Sequence, residues 1–176
     1  IEASESSQEF RGLLRERFLN ENDTVLDYEL CLYDTQPASV IGLKSEFIAS
    51  ARLDNLLSCF VAAQAMISSS SANTCLMVCN DHEEVGSVSA IGADGPFLET
   101  IVDRLSGSGS TSLVSRIINK SLMMSCDNAH ATHPNFSNKH DGGHLPKLNG
   151  GPVIKVNVKQ RYATTSLTSS IFRQLC

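Results

Sequence analysis

The chain has no apolar run approaching the roughly 20 residues that cross a bilayer. Its first residues, Ile1-Glu2-Ala3-Ser4, carry neither the basic nor the apolar region of a signal peptide. It also lacks a basic stripe: 14 Lys and Arg stand against 19 Asp and Glu, a net charge of -5. Neutralising phosphates takes clustered cations, so this balance argues against nucleic acid as the main partner. There is no Cys-x-x-Cys pair. The six cysteines (Cys31, Cys59, Cys75, Cys79, Cys126 and Cys176) lie mostly among apolar neighbours and read as buried free thiols, not as a disulfide framework or a zinc ribbon. No internal repeat is visible. An initiator Met is missing, and the last segment, from Ser166, stops inside an amphipathic pattern, so the sequence reads as part of a longer chain. The expectation is a soluble, cytoplasmic protein whose partners are neither nucleic acids nor membranes.

What is present suits a globular protein. The 176 residues are 41% apolar and 19% charged, enough for one medium domain with a core, or for one domain and a piece of another. Residues 4–20 place Phe10, Leu13, Leu14 and Phe18 at helical spacing. Residues 24–34 alternate as a strand (Val25, Leu26, Tyr28, Leu30, Leu32) that ends at Pro37. Residues 40–42 read as a junction. A short strand over 46–51 delivers Arg52-Leu53-Asp54-Asn55, and an Ala/Leu-rich helix follows over 56–69. Residues 96–105 make a helix with Pro in its first turn. The Ser/Gly loop at 106–112 has no Lys before a Ser/Thr and no strand ahead of it, which argues against a Walker-type phosphate loop. Buried strands are expected over 75–78 and 122–126, a further strand over 151–157, and a final helix from Ser166.

The chemistry gathers where these strands should end. The stretch Cys79-Asn80-Asp81-His82-Glu83-Glu84-Val85-Gly86-Ser87 sets two carboxylates where a strand runs out into a loop, the position that lines the crevice of an open α/β sheet. One anion could hold a metal while the other moves a proton; the plainer reading is a solvated acidic turn. Asp54 falls at a helix start, where it is either an N-cap or a ligand. Asp127 ends the 122–126 run. Anions converging from three strands need cations, and two divalent metals bridged by a carboxylate would provide them. Carboxylates alone admit Mg²⁺ or Mn²⁺, whereas zinc wants imidazole or thiolate as well. His130, His133, His140 and His144 follow in an irregular loop that fixes no tetrahedral geometry, so one or two of them lining a polar cleft is the better reading.

Arg52-Leu53-Asp54-Asn55, Asp81-His82-Glu83-Glu84-Val85-Gly86-Ser87, Asp127-Asn128-Ala129-His130-Ala131-Thr132-His133-Pro134-Asn135-Phe136, and Gly151-Pro152-Val153-Ile154-Lys155-Val156-Asn157 through Lys159-Gln160-Arg161-Tyr162-Ala163 resemble, in order and spacing, the aspartyl aminopeptidase family of dizinc metallopeptidases, family M18. Glu29 to Pro37 matches as well.

The resemblance implies a catalytic α/β domain, a three-layer sheet with helices on both faces, of which 43–176 form the central part. Residues 1–42 would be the end of an inserted oligomerisation domain. It implies two Zn²⁺ per complete site, with Mn²⁺ or Co²⁺ as alternatives, and a homo-oligomer when full length. Asp54 would bridge both metals, Glu84 would ligate one and Asp127 the other. Glu83 would be the general base acting on a bridging water. Lys155 would read the acidic side chain of an N-terminal Asp or Glu, with Tyr162 beside that pocket and His130 and His133 at cleft positions, and the Asp54–Asn55 peptide would be cis.

Departures qualify this. The family's two imidazole ligands match no residue here, so the 176 residues alone are expected to bind zinc weakly and to cleave little. Ser50-Ala51 also stands where the family has Ala-Pro. The implied function is removal of N-terminal Asp or Glu from peptides; the alternatives are a dizinc aminopeptidase of broader specificity and an inactive homologue kept for assembly.

Overall fold

The computed structural model describes residues 5–70, 72–107 and 111–176. In chain order its elements are α1 (Glu5–Phe18), β1 (Ser39–Ile41), β2 (Phe47–Ala49), α2 (Leu53–Ser68), α3 (Phe97–Leu105), α4 (Thr111–Asn119), a 3-10 helix (Pro134–Lys139) and α5 (Ser166–Leu175). They fall into two units, Ile1–Ala51 and Arg52–Cys176. The implied domain boundary between residues 42 and 43 lies inside the first unit, between β1 and β2.

In the first unit α1 forms where the apolar spacing places it. The strand expected over 24–34 does not form. Arg11 of α1 donates to the carbonyls of Val25 and Leu26, both at 2.7 Å, and its guanidinium lies over the Tyr28 ring at 5.2 Å. Phe10 meets the same ring edge-on at 5.2 Å. A guanidinium that takes these carbonyls removes the acceptors a ladder would use. Sheet appears instead at β1 and β2, which pair antiparallel with Val40 opposite Ile48. The stretch expected as a junction therefore supplies a strand, and Gly42, at φ 99°, begins the turn between the two.

The second unit is helical. α3 starts after Pro96, and α5 is closed by a reciprocal cap in which Thr165 Oγ1 accepts from the Thr168 amide (3.3 Å) and Thr168 Oγ1 accepts from the Thr165 amide (2.9 Å). α4 follows a Ser/Gly loop whose residues 108–110 lie outside the described residues, as does Ser71 of the earlier serine run.

Of the expected three-layer arrangement the helices are present, while little sheet forms among the described residues. The runs at 75–78, 122–126 and 151–157 join no ladder, and among the described residues β1–β2 is the only sheet. An apolar run becomes a strand only where a neighbouring chain satisfies its N–H and C=O groups. Here some of those groups go to side chains: the Cys126 carbonyl accepts from Asn55 Nδ2 at 3.1 Å.

Nor is there a core of the expected kind. Among the described residues no hydrophobic side chain is buried; Leu76 is 51% exposed and Met123 69%. The cysteines expected to be buried follow suit, five exposed and Cys59 half-buried. The accessible surface is 15735 Å² for 19.0 kDa, where a compact monomer of that mass would show about 8,400 Å². No helix among the described residues is long and apolar enough to cross a membrane.

Candidate functional site

α2 is the element on which the site is built. It starts irregularly: Arg52 is left-handed at φ 60°, no side chain caps the helix, and Asp54 (φ −84°, ψ 109°) and Asn55 (φ −117°, ψ 20°) depart from helical geometry. Asp54 is thus not the N-cap that the plainer reading offered. The Asp54–Asn55 peptide is cis, as the resemblance implies.

Three hydrogen bonds fasten this start to the segment after the 122–126 run. Asn55 Nδ2 donates to the Cys126 carbonyl (3.1 Å), Asn128 Nδ2 donates to the Leu53 carbonyl (3.0 Å), and Ser58 Oγ donates to Asn128 Oδ1 (3.0 Å). Their consequence is that Asp127 lies in side-chain contact with Asp54.

Two adjacent carboxyls can share a proton through a hydrogen bond, and a cation beside them favours the ionised form. Lys155 is that cation. Its ammonium forms an ion pair with Asp127 Oδ2 and donates to the Asn128 carbonyl at 2.9 Å, with the Tyr162 ring centroid 5.9 Å away. The Lys155 side chain is 25% exposed and that of Asp127 48%. The Asp127 carboxyl is held below the usual carboxylate range, first by the hydrogen bond from Lys155, against the opposing effect of burial, and further by the Lys155 charge, Asp54 and the Asn128 amide. So Asp54, Asp127, Lys155 and Tyr162, drawn from three separate sequence motifs, form one neighbourhood.

Glu83 and Glu84 occupy a separate turn, both exposed. The Gly86 amide donates to the Glu83 carbonyl (3.0 Å) and the Ser87 amide to that of His82 (2.9 Å), with Gly86 at φ 105°. The turn is laced shut by a 2.6 Å hydrogen bond between His82 Nδ1 and Ser89 Oγ and by the Asp81 amide on the Ile91 carbonyl (3.3 Å). Gly92 is required here, because a Cβ would sit 2.2 Å from the Ser87 carbonyl oxygen. The run that carries the turn reaches α2 through the Cys79 thiol, which meets Cys59; that hydrogen bond, followed by burial and the Cys59 charge, pushes the Cys79 thiol up.

The histidines go elsewhere. His133 Nδ1 accepts from the Asn135 amide (3.1 Å) and its ring lies 5.2 Å from Phe136, while His130 is exposed. His144 Nδ1 pairs with Asp141 (2.8 Å), and His140 Nδ1 is buried without a partner. Among the described residues no three His, Cys, Asp or Glu side chains converge to hold a metal. Glu84 therefore does not complete a ligand set with Asp54 and Asp127. Asp54 and Asp127, the latter paired with Lys155, stand without the imidazole or thiolate donors that zinc takes, so among the described residues they make at most part of a zinc site.

Sequence reasoning missed Asn55, Ser58, Asn128 and the Cys59–Cys79 contact. The signal for Asn128 was available: an amide directly after a run-ending Asp can donate and accept at once, as needed to dock one segment onto a helix start.

The Aminopeptidase I zinc metalloprotease (M18) family model matches residues 2–176. The chain is 57% identical over 178 aligned positions to a probable M18 family aminopeptidase 2 of Ectopseudomonas mendocina, and likewise 57% to that of Stutzerimonas stutzeri. In both cases 99% of this chain is covered, and it spans 41% of the relative's length. Among solved structures it resembles a chain of the complex of Ape4 and Nbr1 (TM-score 0.71, 41% identity, 81% of this chain and 29% of that one). It also resembles Chaetomium thermophilum mApe1 (TM-score 0.63, 28% identity, 96% and 40%).

Proposed function

The chain belongs to the M18 family of zinc metalloproteases, and from that premise we propose that it is part of an aminopeptidase that removes N-terminal Asp or Glu from peptides. The observation that carries the acidic preference is the Lys155 ammonium, held beside the Tyr162 ring and bound to a carboxylate. An acidic substrate side chain offers the same partner chemistry that Asp127 offers, and a compact ammonium complements it.

In this reading Glu83 takes the proton of the attacking water and delivers it to the leaving amine. Asp54, Glu84 and Asp127 would be the carboxylate donors for two zinc ions, which would lower the pKa of a bound water. The imidazole donors would come from the part of the relatives' length that these 176 residues do not span. His130 and His133 line the cleft. The runs at 75–78, 122–126 and 151–157 pair into the three-layer sheet only in the complete protein, and the exposed apolar side chains are covered there by that sheet and by homo-oligomer contacts.

The test is a chimera in which residues 1–176 replace the matching segment of the Ectopseudomonas mendocina relative. We expect release of Asp and Glu to exceed release of Leu, and Lys155→Ala to lose the acidic preference while retaining residual cleavage of the Leu peptide. Equal rates on all three peptides would leave an aminopeptidase of broader specificity. A chimera inactive on every peptide would select an assembly homologue instead.

A further inference from the structure

Asp54 and Asp127 are in side-chain contact at the start of α2, and a carboxyl pair ionises fully only with positive charge beside it. Lys155 provides it from a fixed place. Its ammonium has three donors, one directed to Asp127 Oδ2 and one to the Asn128 carbonyl at 2.9 Å. Tyr162 faces it at 5.9 Å, and three quarters of the side chain is withdrawn from solvent. Asn128 is itself pinned to Leu53 and Ser58 of α2, so the carbonyl that fixes the ammonium moves with the carboxylates and not independently of them.

We infer that Lys155 acts as a built-in counter-ion that excludes divalent cations from the Asp54–Asp127 pair, so that a cation can enter only as the lysine leaves Asp127. The inference rests on the reading of these two carboxylates as cation ligands. A divalent ion approaching Asp127 meets a like charge within hydrogen-bonding distance of its ligand, and it must break that ion pair before it gains the carboxylate. The device is specific to charge. An uncharged side chain of similar length at position 155 leaves the carboxylates free for the cation, whereas a guanidinium keeps them occupied.

Titration calorimetry of the 176-residue chain with Zn²⁺, and separately with Mn²⁺, tests this without reference to catalysis. Lys155→Met and Lys155→Gln should each bind the ion about two- to fivefold more tightly than the parent, the size expected for loss of one partly exposed ion pair. Lys155→Gln keeps a donor for the Asn128 carbonyl, so it separates the effect of charge from any loss of local structure. Lys155→Arg should bind as the parent does, and adding Asp127→Asn to Lys155→Met should abolish the gain. Equal or weaker affinity in both neutral variants, including no measurable binding by any of the proteins, overturns the inference. Such a result alongside acid-selective cleavage by the chimera would leave the functional reading standing; tighter binding in the neutral variants with an inactive chimera would do the reverse.

Discussion

Asn128→Ala should loosen the first two turns of α2 and leave the rest of the helix alone. Asn128 makes two side-chain hydrogen bonds to this helix, to the Leu53 carbonyl and from Ser58 Oγ, each 3.0 Å long and half-buried. A net contribution of about 1 kcal/mol per bond gives a loss of about 1–2 kcal/mol, moderated by water reaching the freed groups. Because α2 begins irregularly and no side chain caps it, the other bond fastening that end is the one from Asn55 to the Cys126 carbonyl. The assay is amide hydrogen exchange resolved by NMR, followed at Leu56, Ser58 and Cys59 and compared with Met66 and Ile67 at the far end. A loss of this size predicts exchange about 5–30 times faster at the first group and unchanged exchange at the second. Ser58→Ala should produce roughly half the effect and should add nothing on top of Asn128→Ala beyond its own loss of helix contact. Unchanged exchange at Leu56 and Ser58 would refute the reasoning, and so would an equal acceleration along the whole helix, since either outcome means that Asn128 is not what docks Asp127 onto α2.

The Lys155–Asp127 pair gives a pH prediction. Asp127 is held below the usual range, so the stability it contributes is fully present above the unfolded carboxylate value, about 3.9, and is lost as pH falls through its lower folded value. With Asp127 about half exposed, the pair should contribute about 0.5–1 kcal/mol; in Lys155→Met the Asp127 carboxyl signal should titrate at higher pH than in the parent, and an unmoved midpoint would contradict the assignment. Cys79, pushed up by Cys59, should react with a maleimide more slowly than Cys176 at neutral pH, and Cys59→Ala should speed it; no change on that substitution would show that the two thiols do not meet.

The sequence showed the helices better than the sheet, for a physical reason. α1, α2, α3 and α5 carry their evidence locally, in apolar spacing, in Pro96 and in the Thr165–Thr168 cap, and all four appear close to where the pattern placed them. A strand is not local. The apolar runs at 75–78, 122–126 and 151–157 look like strands by composition, yet pairing is decided by what lies alongside, and among the described residues nothing pairs with them. The opposite error occurred at Ser39–Ile41, where three residues pair only because β2 returns opposite them.

The site divides in the same way. Asp54, Asp127, Lys155 and Tyr162 were named from motifs, and the structure gathers all four. Glu83 and Glu84 belong to a motif of the same kind, and their turn holds its own shape through His82 and Ser89 without joining Asp54 and Asp127. What the motifs could not convey is the bonding that does the gathering, which falls to Asn55, Ser58 and Asn128, amide and hydroxyl side chains of a kind that loops contain everywhere.

The central claim is that these residues serve a peptidase in which Glu83 moves the proton. The most direct measurement is the rate at which the chimera, with and without Glu83→Gln, releases Asp from a peptide. The account predicts clear turnover by the parent chimera and a loss of about a hundredfold or more in kcat for Glu83→Gln with KM little changed, as expected for removal of a general base. Turnover that survives Glu83→Gln undiminished would contradict it.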